Sequence, residues 1–268
     1  MSPTPDPILW ELPHTHVGRR VYHFAQLPST SDFAASLAAD SENAGVVILA
    51  DEQTSGRGQY GRHWVSPPGS SVLMSVLLFP PAELRRPAIL TAWAANSVCE
   101  TIFQITGQQG NIKWPNDVLL QGRKVSGVLI EQGRAVVAGI GLNVNQWAAE
   151  FAAADLPLAG SLAAASGRSF DMQEVARLLI ESLDCEFGRL ITGDLATLEA
   201  GWQSRLRLLG HNVAIEDMEG RRHRGQLLEC SFAGLELQRE DGVRLRFVPE
   251  RVRFANLEYS DFSHSSCT

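Results

Sequence analysis

Lysine is almost missing from this sequence. Only Lys113 and Lys124 occur in 268 residues, and every other member of the 23 Lys and Arg is arginine. Codon usage can make one residue type scarce, but it does not choose where the survivors stand. Both stand in one run, IKWPNDVLLQGRKVSG, residues 112–127. Cysteine is sparse too. Cys99, Cys185, Cys230 and Cys267 are far apart and form no CxxC or Cys/His metal pattern, which points to reduced thiols and a cytoplasmic protein rather than a disulfide framework. Positive charge is not in excess. A net charge of -7 gives no general attraction to nucleic acid or acidic lipid, so an anionic ligand needs a local basic cluster. No apolar run reaches the roughly 18 residues of a membrane-spanning helix. The opening MSPTPDPILWELPHTH carries acids and prolines where a signal peptide needs an apolar core. There is no internal repeat, and no GxxxxGK[ST] that would mark a P-loop.

What is present describes an ordinary globular protein, 44% hydrophobic and 20% charged. Residues 1–20 read as an irregular lead-in. Val21 to Phe24 suggests a short strand, and LPSTSDFAASLAAD a loop feeding a helix capped by Thr30 or Ser31. AGVVILADEQ and SVLMSVLLF read as strands. Between them lies a Gly/Ser/Pro loop of about 17 residues, a length often tied to function. A helix is expected over about Ala88 to Gln104. The 112–127 run reads as a hairpin turning at Gln121-Gly122. Strict alternation along its second strand sets Gly127 on the face opposite Lys124. RAVVAGIGLNVN is a further strand, and two helices follow. After Leu209-Gly210 the pattern changes to short strands with frequent turns, as in a small β-barrel. The expected organisation is a lead-in 1–20, a mixed α/β domain 21–208, a small all-β domain 209–257 and a tail 258–268.

Three motifs carry chemistry. In Gly56-Arg57-Gly58-Gln59-Tyr60-Gly61-Arg62-His63-Trp64, the glycines let backbone approach a ligand and the two arginines suit a phosphate or carboxylate. Trp114-Pro115-Asn116-Asp117 makes a rigid turn in which Asn and Asp are at minimum turn formers. Gly127 in a strand interior marks a close approach by a ligand or backbone. Gly139-Ile140-Gly141-Leu142-Asn143-Val144-Asn145 begins like a dinucleotide fingerprint, but Val144 stands where the third glycine belongs. The basic GRRHRGQ, residues 220–226, reads as the wet face of the small domain.

Together these motifs resemble the biotin protein ligases. That family shows Ser-Thr-Asn near its start, a Gln before GRGxxGRxW, then KWPNDxxxxxRKxxGxLxE, then GxGxN. Here the same order is met by Ser29-Thr30-Ser31, Gln53, the 56–64 loop, KWPNDVLLQGRKVSGVLIE and GIGLNVN, across roughly Val21 to Arg253. The resemblance implies an α+β fold, a mixed sheet with flanking helices like a class II aminoacyl-tRNA synthetase, plus a small SH3-like C-terminal barrel. It implies a two-step reaction in which biotin and ATP, with Mg²⁺, form biotinyl-5'-AMP. A lysine of a biotin carboxyl carrier protein then takes the biotinyl group.

Carried over onto this sequence, Ser29, Thr30, Ser31 and Gln53 would line the biotin pocket. Arg57, Gly58 and Gln59 would fold over biotin and adenylate, with Arg57 also counted among the catalytic groups. Arg62, Trp64, Asn116, Gly141 and Asn143 would meet the nucleotide. Lys124 would sit between the biotin carboxylate and the α-phosphate, where a compact cation offsets the repulsion of two anions. Asp117 would orient or deprotonate the incoming amine. No metal ligand set is expected. Two departures stand out: Ser31 replaces the usual Asn, and Gln59 replaces a frequent arginine, so the adenylate should be held less tightly. About 20 residues precede the first expected strand, too few for the DNA-binding domain of repressor members, so no DNA partner and no membrane are expected. Both monomer and homodimer remain open. A lipoate or octanoate ligase on the same fold and a non-catalytic biotin-binding regulator are the alternatives.

Overall fold

The computed structural model describes residues 6–258. The expected tail beyond residue 258, with Cys267, lies outside them. An eight-stranded sheet runs in the order β1 (Ile8–Glu11), β2 (Arg20–Leu27), β3 (Val47–Gln53), β4 (Ser71–Leu78), β8 (Val136–Asn143), β7 (Arg123–Gln132), β6 (Asp117–Leu120) and β5 (Asn111–Lys113). Among the described strands of this sheet, β2 and β3 pair in parallel and the other neighbours are antiparallel. The β2–β3 connection holds the short helix α1 (Thr30–Ser36), as a parallel crossover requires.

The two faces of the sheet are covered unequally, and this creates the site. On one face lie the long helices α2 (Pro87–Thr106) and α5 (Met172–Ile191). Leu90 and Trp93 of α2 and Leu179 and Leu183 of α5 share a core with Val72, Met74 and Val76 of β4. Pro87 opens α2 at a position where its missing N–H costs nothing, and Gly107, at φ 70, ends it in the left-handed conformation. Asp171 caps α5 by accepting from the N–H groups of Gln173 and Glu174. The other face carries the short α1, which buries Ala34 against Phe24, Ile48 and Leu77. Because both faces of β4 are covered, all eight of its residues are buried, hence a strand that is apolar apart from Ser71 and Ser75. No helix among the described residues is long and apolar enough to cross a membrane.

Several local expectations change. The lead-in is not wholly irregular: Ile8–Glu11 pairs with β2 as an edge strand, its pairing supplied by a partner that local pattern does not reveal. The cap of α1 is Ser29, one residue earlier than expected, accepting from Asp32 N at 3.3 Å. Helices α3 (Ala148–Ala153) and α4 (Leu162–Ser166) follow β8, too short to leave a periodic signature.

After α6 (Leu195–Leu206) comes a five-stranded antiparallel sheet in the order β12 (Arg244–Phe247), β11 (Leu235–Gln238), β10 (Arg222–Cys230), β9 (Asn212–Asp217), β13 (Val252–Leu257). The expected barrel is met only as far as this sheet. Its edge strands, β12 and β13, are joined by no ladder among the described residues. The small sheet is seated on the large domain. Trp114 Nε1 donates to Val252 O at 3.0 Å, and the Trp114 ring meets Trp202, which stacks on Phe232. Arg86 donates to both carboxylate oxygens of Glu250 and to Phe232 O.

Candidate active site

A cavity of about 360 Å³ opens on the face beside α1. It gathers all the predicted site residues except Ser29 and Asn143. Ser29 is spent on capping α1. Asn143 is buried away from the cavity, donating to Gly160 O at 2.9 Å and accepting from Ser71 and Gln146; it anchors the loop after β8.

The hairpin β6–β7 builds the charged end. Gln121 and Gly122, at φ 52 and 76, form its tight turn. A β-bulge then corrects the sequence expectation. Leu119 lies across from Lys124 and Val118 from Ser126, so Val125 is the extra residue. A bulge re-phases the strand beyond it and brings Lys124 onto the same face as Gly127. Asp117 stands directly across from Gly127. The Asp117 carboxylate reaches Lys124 Nζ at 2.6 Å. A Cβ on Gly127 would lie 3.4 Å from that Nζ. The bulge is held from outside, since Lys124 N donates to Leu158 O and Lys124 O accepts from Gly160 N, each at 2.8 Å. Asn116 is tied to β7 through Nδ2 to Val128 O at 2.6 Å, next to the cis Trp114–Pro115 peptide.

The glycine-rich loop folds on itself. Gly58 N donates to Arg62 O at 2.7 Å, and Trp64 N to Gly56 O at 3.0 Å. A side chain on Gly56 would meet Trp64 O at 2.6 Å, so this closure requires glycine. Trp64 then lies flat on the sheet over Gly127 and Gly141, which are cross-strand partners. A Cβ on Gly141 would be 2.5 Å from the indole. Lys124 Nζ sits 5.7 Å from the Trp64 ring centroid, within cation–π range. Trp64 Nε1 is buried without a partner among the described residues. Arg57 bonds Asp32 and both oxygens of Glu131. Its guanidinium pKa is raised, first by the Asp32 hydrogen bond and then by that to Glu131. Gln59 begins a single 3₁₀ turn whose second residue, Tyr60, has φ 57.

The other end has a floor of hydroxyls. Thr30 N and Thr30 Oγ1 both donate to Gln53 Oε1, at 2.7 and 3.0 Å. Thr30 Oγ1 and Ser31 Oγ each contact Ser75 Oγ, at 2.8 and 3.0 Å. Ser75 is fully buried, and sequence reasoning missed it. Its available signal was a lone hydroxyl midway through the apolar SVLMSVLLF. Tyr60, His63, Lys113 and Phe254 also line the cavity. Phe254 comes from the small sheet, and nothing local to its sequence could have announced that. Among the described residues, no group of three His, Cys, Asp or Glu is arranged to hold a metal ion.

Comparison with known proteins adds relatives. Residues 23–145 match the model of the biotin/lipoate A/B protein ligase family. The bifunctional ligase/repressor BirA of Bacillus subtilis is 32% identical, over 85% of this chain and 72% of its own. The biotin--[acetyl-CoA-carboxylase] ligase of Mycobacterium tuberculosis is 33% identical, over 72% of this chain and 73% of its own. The solved biotin protein ligase from Aquifex aeolicus, in complex with biotin and ATP, superposes with a TM-score of 0.75 at 26% identity. It covers 89% of this chain and 99% of that one.

Proposed function

The chain belongs to the biotin/lipoate A/B protein ligase family, and from that premise we propose how it works as a biotin protein ligase. It joins biotin to ATP as biotinyl-5'-AMP, then transfers the biotinyl group to a lysine of a biotin carboxyl carrier protein. The observation that carries this reading is the Lys124–Asp117 pair, 2.6 Å apart, in a cavity that also holds the arginine loop and the hydroxyl floor.

In the first step a biotin carboxylate oxygen bonds to the α-phosphorus of ATP, the bond to the bridging oxygen breaks, and pyrophosphate leaves. Lys124 stands between the two anions and stabilises charge building on the phosphorus. Arg62 adds local positive charge in a chain that is acidic overall, and Arg57 adds its own only on leaving Asp32 and Glu131 for the anions. Trp64 packs near the adenine, beside Gly141. Mg²⁺ fits as the counter-ion of ATP. Asn116 and Asp117 offer oxygens at the charged end, which suits an ion held chiefly by phosphates and water. When bound, that ion would neutralise the leaving pyrophosphate.

In the second step the acceptor amine bonds to the biotinyl carbonyl carbon and AMP leaves. Asp117 accepts the amine proton once Lys124 has turned to the anions. The loop over the cavity keeps water from the anhydride. We read residues 21–208 as the catalytic domain and 209–257, with its open sheet, as an SH3-like unit.

Isotope exchange between pyrophosphate and ATP tests the reading. Biotin should support exchange and lipoate should not, and a carrier-protein lysine should gain the biotinyl mass. Lys124→Ala should lower exchange about 10²–10³-fold, as for loss of one transition-state contact. Exchange driven equally by lipoate, or intact in Lys124→Ala, would refute it.

A further inference from the structure

One backbone N–H fixes the direction of every hydrogen bond on the cavity floor. Thr30 N can only donate, so the atom 2.7 Å from it must be the oxygen of the Gln53 amide. Thr30 Oγ1, 3.0 Å from the same oxygen, must therefore donate to it. A hydroxyl carries one proton, and Thr30 has now used its own. Across the 2.8 Å contact, Ser75 is thus the donor to Thr30. Having used its proton, Ser75 can only accept from Ser31 across 3.0 Å. The chain runs one way, from Ser31 through Ser75 and Thr30 to Gln53. Its two ends face a ligand with opposite character. Gln53 offers its NH₂ group as donor, and Ser31 offers only the lone pairs of Oγ.

We propose that Ser75 is a positioning residue that holds Ser31 as an acceptor toward the ligand. This deepens the biotin reading and rests on it. An Asn at position 31 carries its own acceptor and donor; a serine can rotate to present either. Ser75 removes that freedom. It does so from within the sheet, fully buried on β4 and directly across from Gly139. A Cβ on Gly139 would be only 3.0 Å from Ser31 Oγ, so Gly139 leaves space for the hydroxyl that Ser75 orients. The floor then suits a neutral ligand edge with an N–H beside a carbonyl, as in a cyclic urea. An edge with two acceptors leaves the lone pairs of Ser31 unmatched.

The test is steady-state exchange kinetics on Ser75→Ala, Ser31→Ala and the double variant. Loss of one such hydrogen bond weakens binding by roughly five- to tenfold. Ser75→Ala should raise the biotin KM by that factor while kcat and the ATP KM stay within about twofold. Because Ser75 acts through Ser31, the double variant should have the biotin KM of Ser31→Ala alone. Additive effects, an unchanged biotin KM in Ser75→Ala, or a parallel loss of kcat and both KM values would overturn the assignment. Failure of the wild-type protein to exchange with biotin would reject the underlying reading, and this proposal with it, before any variant is compared.

Discussion

At the scale of single residues, the site depends as much on missing atoms as on charged groups. Gly127 and Gly141 together give Trp64 its bed. Gly141→Ala places a carbon 2.5 Å from the indole, so the ring must lift. Overpacking of this kind costs about 1–3 kcal/mol, and the ATP KM should rise about tenfold or more while the biotin KM changes little. Initial-rate kinetics would check this, and an unchanged ATP KM would remove Trp64 from the nucleotide site. Most of these residues were legible in the sequence because they fall in consecutive runs, as KWPND and GRGQYGRHW do. Ser75 was not, because its meaning lies in two hydroxyls from another element. Ser29 and Asn143 sat inside legible motifs yet serve as a helix cap and a loop anchor.

At the scale of elements, strand parity is the lesson. Lys124 and Gly127 are three apart, an odd interval that alternation assigns to opposite faces. The extra residue Val125 reverses that assignment. Hairpin, turn and strand types were all readable from local pattern, but the bulge is a property of the pair β6–β7. The glycine-rich loop makes a further point. Arg57 is already occupied by two carboxylates, and the position often filled by a second arginine is Gln59. Gln59→Arg should therefore slow release of biotinyl-AMP about tenfold, the worth of one charge-assisted hydrogen bond. Stopped-flow or filter trapping of the intermediate would measure it; equal rates in both proteins would end the idea.

At the scale of the whole molecule, long-range ties hold the parts in register. Asp184 on α5 accepts from the N–H groups of Thr15, His16 and Val17 at 3.2, 2.6 and 2.7 Å. Burial alone would raise its pKa, but those backbone N–H groups, with His14 nearby, hold it below the usual carboxylate value. A depressed folded-state pKa stabilises the fold above the unfolded value of about 3.9, and that stabilisation fades as pH falls through the folded value. Asp184→Asn should cost about 1–2 kcal/mol at pH 7, lowering the melting temperature by about 3–6 °C. The gap between the two proteins should narrow as pH falls below the unfolded value of about 3.9, and a pH-independent gap would contradict the mechanism. The two-part organisation was visible in the change of pattern after residue 210, but not how closely the parts join. The Trp114 indole is bonded to Val252 O, two residues along the chain from it stand Asn116 and its neighbour Asp117, and Phe254 of the small sheet walls the same cavity. These parts are therefore one unit of inheritance. A recombinant that exchanged the small sheet for a relative's would also exchange Phe254, and with it part of the wall of the ligand site.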